Sequence, residues 1–229
     1  MNATALNAVI HSLTTEFTPV LANHLKKEDY VKIDLSTAYL NKHQIELNTS
    51  VEVEKYIQSS LQKQNGKVAY GGYKEVRSLY TRSHLFNSED ADSTRNIHLG
   101  IDFWSDANTE VITPLDGIIH SKNDNKGLGN YGPTIILEHH FKETQFYTLY
   151  GHLTRDSLSQ NKIGKKIKKG ISFAQLGTSL VNGDYAPHLH FQIIKSIENY
   201  SGDYPGVCSQ KDLPSFSANC PDPAVLLKI

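Results

Sequence analysis

The sequence lacks the features that mark several large classes of protein. Its 23 Lys and Arg residues balance 24 Asp and Glu residues, for a formal net charge of -1, so no global field draws the chain toward nucleic acid. No stretch approaches the roughly 20 apolar residues that a transmembrane helix needs. The N-terminal stretch also lacks the basic and apolar regions of a secretory signal. We therefore expect no nucleic-acid partner, no membrane span and a cytoplasmic location, with the cell envelope as the alternative if a signal has been removed.

Cysteine is also scarce, whereas histidine is plentiful. The two cysteines, Cys208 and Cys220, are too few for a four-thiol zinc site, and alone they do not establish a disulfide. Eleven histidines in 229 residues justify a search for metal-binding spacing. The length allows one sizeable core with an appendage, and 38% hydrophobic and 21% charged residues are ordinary values for a globular protein.

The first part of the chain has helical patterns. Apolar residues recur at helical spacing from Leu6 to Phe17, and Pro19 interrupts them. Thr49 and Glu52 form a T-x-x-E capping box that predicts a second helix. This helix has an apolar stripe and a stop signal, formed by Val53, Ile57 and Leu61 and by Asn65-Gly66.

After Gly66, short β-branched and aromatic runs alternate with turn signals, which favours antiparallel sheets over βαβ units. The lysine-rich run 162–169 is typical of a protected edge strand. We predict an α+β protein that is mainly β. Its three segments are an N-terminal helical segment (1–66), a β domain (67–197) and an irregular C-terminal wrap (198–229).

The first chemical motif is His98-Leu-Gly-Ile-Asp102. On a fully extended strand, His98 and Asp102 would be roughly 13 Å apart at Cα, slightly too far to share one ion. A bend between them would close the gap. Gly100 suits such a bend because glycine tolerates a bulge and leaves room for a metal.

The second motif is His188-Leu-His190. The two imidazoles project from the same face of a strand, about 7 Å apart at Cα. One can bind an ion while the other stands beside a metal-bound water. Leu189 and Phe191 point the opposite way and are expected in the core.

The third motif is Tyr150-Gly151-His152-Leu153, at the end of a strand pattern. His152 alone would be an unremarkable histidine, but it accompanies a set of metal-binding residues. Two His and one Asp with an open fourth position are the arrangement expected of catalytic zinc. Two further histidines are then available to manage protons.

These motifs in this order, H-x-G-x-D, Y-G-H-L and H-L-H-F, resemble the lysostaphin/LytM-type zinc metallopeptidases, which cut peptide cross-links of bacterial cell walls. The resemblance covers roughly residues 96 to 195. It implies the mainly β lysostaphin-type fold for the β domain. It also implies hydrolysis of a peptide bond, with peptidoglycan peptides or their fragments as the default substrate class.

The resemblance also implies a role for each residue. His98, Asp102 and His190 match the zinc ligands of the family, and His152 and His188 match its two catalytic histidines. Zn2+ lowers the pKa of bound water to about 7, so that a nearby imidazole accepts its proton. One catalytic histidine would assist water attack while the other steadies the intermediate or protonates the leaving amine.

Two features separate the chain from a typical wall-cutting relative: the loop Gly183–Pro187, which borders the site, and the tail. Gly71–Arg77 and Gly202–Val207 are similar to segments of long chains in which a peptidase-like domain accompanies aminotransferase-like and phosphotransferase-like domains. This favours an alternative in which the chain is an intracellular zinc amidase or peptidase for a small peptide or amide.

Two further alternatives come from other classes. A biotinyl or lipoyl carrier suits Gly164–Gly177 by pattern, but no carrier-type lysine turn is present. A non-catalytic binding module on a peptidase fold would typically lack metal ligands, whereas all five positions are present here. The adjacent histidines His139 and His140 face opposite sides of a strand, so we interpret them as structural.

Overall fold

The computed structural model describes residues 3–229, which form a mainly β molecule with short helices. In chain order the strands are β1 (Tyr30–Lys32), β2 (Val68–Gly71), β3 (Ile97–His98), β4 (Ile101–Trp104), β5 (Glu110–Ile112), β6 (Gly117–Asn125), β7 (Gly132–Phe141), β8 (Thr144–Gly151), β9 (Lys166–Ile167), β10 (Ser172–Gln175), β11 (His188–Ile194) and β12 (Val207–Cys208). The helices are α1 (Ala3–Leu13), α2 (Thr37–Lys42), α3 (Ser50–Gln64), α4 (Arg155–Ser159), α5 (Leu213–Asn219) and α6 (Ala224–Leu227). Single 3-10 turns cover Lys27–Asp29, Ser78–Arg82 and Ala91–Ser93.

Eight strands form one sheet in the order β1-β2-β4-β11-β8-β7-β6-β9. Its neighbouring strands are antiparallel except for β1 and β2, which are parallel. Two smaller sheets pair β5 with β10 and β3 with β12. The predicted mainly β, mainly antiparallel architecture is confirmed, and the lysine-rich run supplies the edge strand β9.

Strand β11 lies in the interior of the large sheet, between β4 and β8, and all seven of its residues are buried. Side chains alternate along a strand, so Leu189 and Phe191 enter the main hydrophobic core. His188, His190 and Gln192 therefore share the opposite face. The packing that anchors the strand also fixes the position of its polar face.

Helix α3 follows the predicted signals. The Thr49 hydroxyl accepts a hydrogen bond from Glu52 N, and the Glu52 carboxylate accepts one from Thr49 N. Asn65 ends the helix in the left-handed region, with φ 53°. The buried stripe Val53, Ile57 and Leu61 packs against the end of the sheet formed by β1, β2 and β4.

Helix α1 ends at Leu13, earlier than the apolar pattern that reaches Phe17. Just after the helix, the Thr14 hydroxyl donates to the Leu226 carbonyl of the tail. Leu6 and Ile10 of α1 join the main core. The first and last parts of the chain are therefore packed together.

Both the N-terminal segment and the C-terminal wrap contain more regular secondary structure than the sequence pattern predicted. Strand β1 joins the first segment to the large sheet, and the tail contains β12, α5 and α6. The three-segment division stays a prediction. Cys208 and Cys220 are buried free thiols. Within residues 3–229, no helix is both long and apolar enough to cross a membrane.

Candidate active site

The chain bends between His98 and Asp102, as the first motif requires. His98 ends β3, which pairs with β12, whereas Asp102 lies on β4 of the large sheet. Gly100 lies between the two strands, and a Cβ there would be 2.7 Å from His190 Cε1. The bend brings His98 Nε2 to 3.2 Å from Asp102 Oδ1. A glycine is thus needed at position 100 because the His190 side chain lies too close for a Cβ.

Strand pairing brings His190 to the same place. It lies opposite Asp102 on β4 and opposite Gly151 on β8. His190 Nδ1 is 3.1 Å from Asp102 Oδ1 and 2.8 Å from His98 Nε2. All three side chains are buried, and together they form a group with metal-binding geometry. A tetrahedral zinc site with bonds of 2.0–2.1 Å places donor atoms roughly 3.3 Å apart.

The outer hydrogen bonds of the two imidazoles determine which nitrogen carries the proton. His98 Nδ1 donates to the Gly72 carbonyl at 3.0 Å, and His190 Nε2 donates to Gln192 Oε1 at 2.9 Å. The Gln192 amide nitrogen donates to the Pro205 carbonyl at 3.2 Å, which fixes Oε1 toward His190. His98 Nε2 and His190 Nδ1 are therefore bare lone pairs.

Three acceptors consequently face one another with no donor between them: two imidazole lone pairs and one carboxylate oxygen. A divalent cation that prefers nitrogen and oxygen ligands satisfies this arrangement. Burial lowers the pKa of His98 to about 4, so its ring is neutral at pH 7, as metal binding requires. The residues present thus fit a zinc ion.

Arg77 holds the outer oxygen of the Asp102 carboxylate. The Arg77 side chain is buried, with Nη1 2.5 Å from Asp102 Oδ2 and Nε 2.5 Å from Glu75 Oε2. Burial raises the pKa of the Asp102 carboxyl, but the neighbouring His98 and Arg77 lower it by more, so it stays well below its usual range. Asp102 is therefore an anion whose Oδ1 faces the two imidazoles.

His152 and His188 lie beside this group. Their ring centroids are 4.1 Å apart, and His188 Nε2 is 3.8 Å from Asp102 Oδ1. His152 directly follows β8 and adopts a positive φ of 63°. Its Nδ1 donates to the Asn182 carbonyl at 2.8 Å, and His188 Nδ1 donates to the Ala186 carbonyl at 2.7 Å. Each ring therefore has only Nε2 free.

Burial also lowers the pKa of both histidines. Neutral imidazoles with a free Nε2 are proton acceptors. A cavity of about 290 Å3 adjoins them. Tyr131 and Tyr185 line this cavity, with the Tyr131 hydroxyl 3.4 Å from His190 Nε2 and the Tyr185 ring 5.1 Å from the His152 ring.

The structure brings together all five residues that the motifs indicated. Gln192 and Arg77 were missed as site residues. Gln192 continues the alternation of His188 and His190, so the strand pattern itself could have indicated it. Arg77 carries no comparable signal, because its contact with Asp102 crosses 25 positions of the chain. The Gly72 carbonyl is a backbone group and has no sequence signature.

The other histidine pair lies outside this site. His139 is buried, with hydrogen bonds to the Asp116 carbonyl and the Thr148 hydroxyl, whereas His140 faces Glu138 on the exposed side of β7. Their opposite orientations agree with a structural role.

Comparisons with known proteins agree with the motifs. Residues 96–202 match the sequence model of peptidase family M23, which confirms the resemblance to lysostaphin-type peptidases. Curated protein sequences give no significant match.

Several solved structures are similar to part of the chain. The catalytic domain of lysostaphin from Staphylococcus simulans is 21% identical, with 72% of this chain and 97% of that chain covered and a TM-score of 0.40. A zinc-containing peptidase from Vibrio cholerae is 26% identical, with 43% of this chain and 27% of that chain covered and a TM-score of 0.35. A mutant catalytic domain of the prophage-encoded M23 protein EnpA from Enterococcus faecalis is 19% identical, with 59% of this chain and 88% of that chain covered and a TM-score of 0.38.

Proposed function

Since residues 96–202 carry a peptidase family M23 domain, we propose that the chain is a zinc-dependent metallopeptidase whose ligands are His98, Asp102 and His190. The observation that carries this proposal is the set of three buried acceptor atoms, 2.8–3.2 Å apart, with no donor among them. Only a cation or an added proton stabilises such a set. Burial opposes the added proton, since it lowers the pKa of His98 to about 4.

Zinc in this position would supply an acidified water and a Lewis acid for the scissile carbonyl. The protein supplies the proton carriers. His152 and His188 each have Nδ1 occupied by a backbone carbonyl, so proton exchange with the substrate takes place at Nε2. We assign the water proton to one of these nitrogens and the leaving amine to the other.

The same carbonyl bonds orient the two rings and favour the protonated form once a proton arrives. The Asp102 charge has the same effect on His188, because Oδ1 is 3.8 Å from Nε2. The proposed default substrate is a peptide of the bacterial cell wall, or a fragment of it, cut within the peptide. A cytoplasmic location stays a prediction.

Elemental analysis combined with hydrolysis of wall-derived peptides tests the proposal. We expect about one zinc per chain in the wild type, and its loss in His98→Ala, Asp102→Ala and His190→Ala. His152→Ala and His188→Ala should keep zinc and lose most turnover. His140→Ala is the matched control, because it removes an exposed histidine outside the site. A wild type that binds no zinc even when zinc is supplied would refute the proposal.

A further inference from the structure

The five candidate site side chains are almost inaccessible. His98, Asp102 and His190 are 1–2% exposed, and His152 and His188 are 5% exposed. The sheet forms the floor beneath them. Residues 77–95, named the strap below, run over this floor and contribute to the lining of the cavity.

The strap is fixed to the floor at its beginning. Arg77 Nη1 binds Asp102 Oδ2 at 2.5 Å, and the Tyr80 hydroxyl lies 3.4 Å from the same nitrogen. The Tyr80 ring stacks on the His98 ring with centroids 6.5 Å apart. Tyr80 therefore covers one of the proposed ligands directly.

The middle of the strap is fixed to two loops beside the site. The Ser83 hydroxyl donates to the Leu128 carbonyl at 2.8 Å. Arg82 donates to Asp184, with Nη1 3.3 Å from Oδ2 and a second bond to the Asp184 carbonyl. Asp184 also accepts from the Ser50 hydroxyl at 2.8 Å, which joins the start of α3 to the same wall.

The end of the strap is fixed to the tail. Arg95 Nε donates to the Val207 carbonyl at 3.1 Å, and Asn96 N, just beyond the strap, donates to the Cys208 carbonyl at 3.1 Å. The tail in turn touches the site, because a Cβ on Gly206 would be 1.8 Å from the Tyr131 hydroxyl. Floor, two loops and tail are thus all joined to the strap.

We propose that this site is a strap-covered chamber for a short, soluble peptide or amide, and that the strap excludes the cross-linked wall polymer. A polymer cut within its chain must leave the site on both sides of the scissile bond, which requires an open groove. A cavity of about 290 Å3 instead lies at the lower end of the range for sites that enclose a small ligand, roughly 300–1,000 Å3. This inference rests on the proposed metallopeptidase function and narrows its substrate class.

Matched forms of the same wall peptides test the chamber. Purified peptidoglycan sacculi are compared with the soluble peptides released from those sacculi by digestion of the glycan and of its amide links. Hydrolysis by the zinc-loaded full chain is followed as new primary amines, with masses to locate the bond. We expect cleavage of the soluble peptides and a rate on sacculi at least roughly 100-fold lower, because the strap must open against several side-chain bonds.

A variant of the strap contacts provides the second measurement. Asp184→Gly combined with Ser83→Ala removes the carboxylate bonds of Asp184 and the hydroxyl bond to Leu128, and leaves the Arg82 bond to the Asp184 backbone carbonyl. Glycine suits the positive φ of 63° at position 184. This double variant should raise the rate on sacculi at least about 10-fold, while the soluble peptides change less than about twofold. Thr81→Ala removes an exposed hydroxyl whose bond to the Ser78 carbonyl lies within the strap; it is the matched control and should resemble the wild type.

The outcomes separate the two proposals. Cleavage of sacculi by the wild type at a rate close to that for soluble peptides would overturn the chamber and leave the peptidase function intact. An unchanged rate on sacculi in a folded, zinc-loaded double variant would also overturn exclusion by the strap. Failure to cleave either substrate with zinc bound would overturn the proposed function, and the chamber with it.

Discussion

Gln192 offers the sharpest test of how the site is organised. Its Oε1 accepts the His190 Nε2 proton at 2.9 Å, and the residue is fully buried. Gln192→Leu removes this acceptor while keeping most of the side-chain volume. The Tyr131 hydroxyl, 3.4 Å away, is a weaker replacement. The imidazole proton can then move to Nδ1, the atom that we assign to the metal.

Two magnitudes follow. A partner that orients a metal-binding histidine is typically worth 10–100-fold in metal affinity, or about 1.4–2.7 kcal/mol. Leaving the buried His190 N–H without an acceptor costs about 1–3 kcal/mol in the metal-free protein. We therefore expect zinc affinity to fall by about 10–100-fold in Gln192→Leu, with a smaller free energy of unfolding.

The assay is a zinc titration against a chromophoric chelator near neutral pH, together with urea unfolding of the metal-free protein. Gln192→Glu is the conservative variant: its carboxylate still accepts from Nε2 but loses the amide bond to the Pro205 carbonyl, so its zinc affinity should fall less than that of Gln192→Leu. If Gln192→Leu binds zinc as tightly as the wild type, the hydrogen bond does not orient His190 and the tautomer argument is wrong.

Three further predictions concern other positions. Gly100→Ala places a Cβ 2.7 Å from both His190 Cε1 and the Phe191 carbonyl oxygen, so the His190 ring must move. We expect zinc affinity to fall at least about 10-fold. Unchanged zinc affinity would contradict the close approach of Gly100 to His190. Arg77→Met leaves the buried Asp102 and the half-buried Glu75 without their partner. It should cost about 3–5 kcal/mol in urea unfolding of the metal-free protein, and a loss below about 1 kcal/mol would show that the Arg77–Asp102 pair is unimportant for stability. Burial lowers the pKa of His139 from a usual 6.5 to about 4. Between these pH values the unfolded chain binds a proton at this ring that the folded chain does not bind. The contribution of neutral His139 to the free energy of unfolding is therefore fully present above pH 6.5 and is lost as the pH falls toward 4. His139→Gln removes this pH dependence. The free energy of unfolding of the wild type should therefore fall by about 2–3 kcal/mol more than that of the variant between pH 7 and pH 4.5. Equal decreases for the two proteins in urea unfolding would contradict this prediction.

Much of the site could be predicted from the sequence because its residues lie on short, periodic motifs. Alternation along one strand places His188 and His190 on the same face, and the need for a bend points to Gly100. The capping box of α3 was equally readable, since Thr49 and Glu52 interact within one turn.

The remaining features depend on contacts between distant segments. The bond from Arg77 to Asp102 and the strap contacts at Asp184 join residues 25 and 102 positions apart. No local pattern specifies which of several arginines becomes buried. The bond from Thr14, just after α1, to Leu226 likewise joins segments 212 positions apart.

The pairing of β3 with β12 has a consequence for the boundaries of the functional unit. His98 lies opposite Val207 in that small sheet, and its Nδ1 proton is held by Gly72. Both partners lie outside residues 96–202, the part that matches the peptidase family. A fragment cut to the family limits would keep every proposed ligand and both proton carriers, yet lose the scaffolding of the first ligand and the Arg77 partner of the second. The smallest fragment that keeps the proposed site and its supporting contacts is therefore wider than the matched region, extending from β2 through β12.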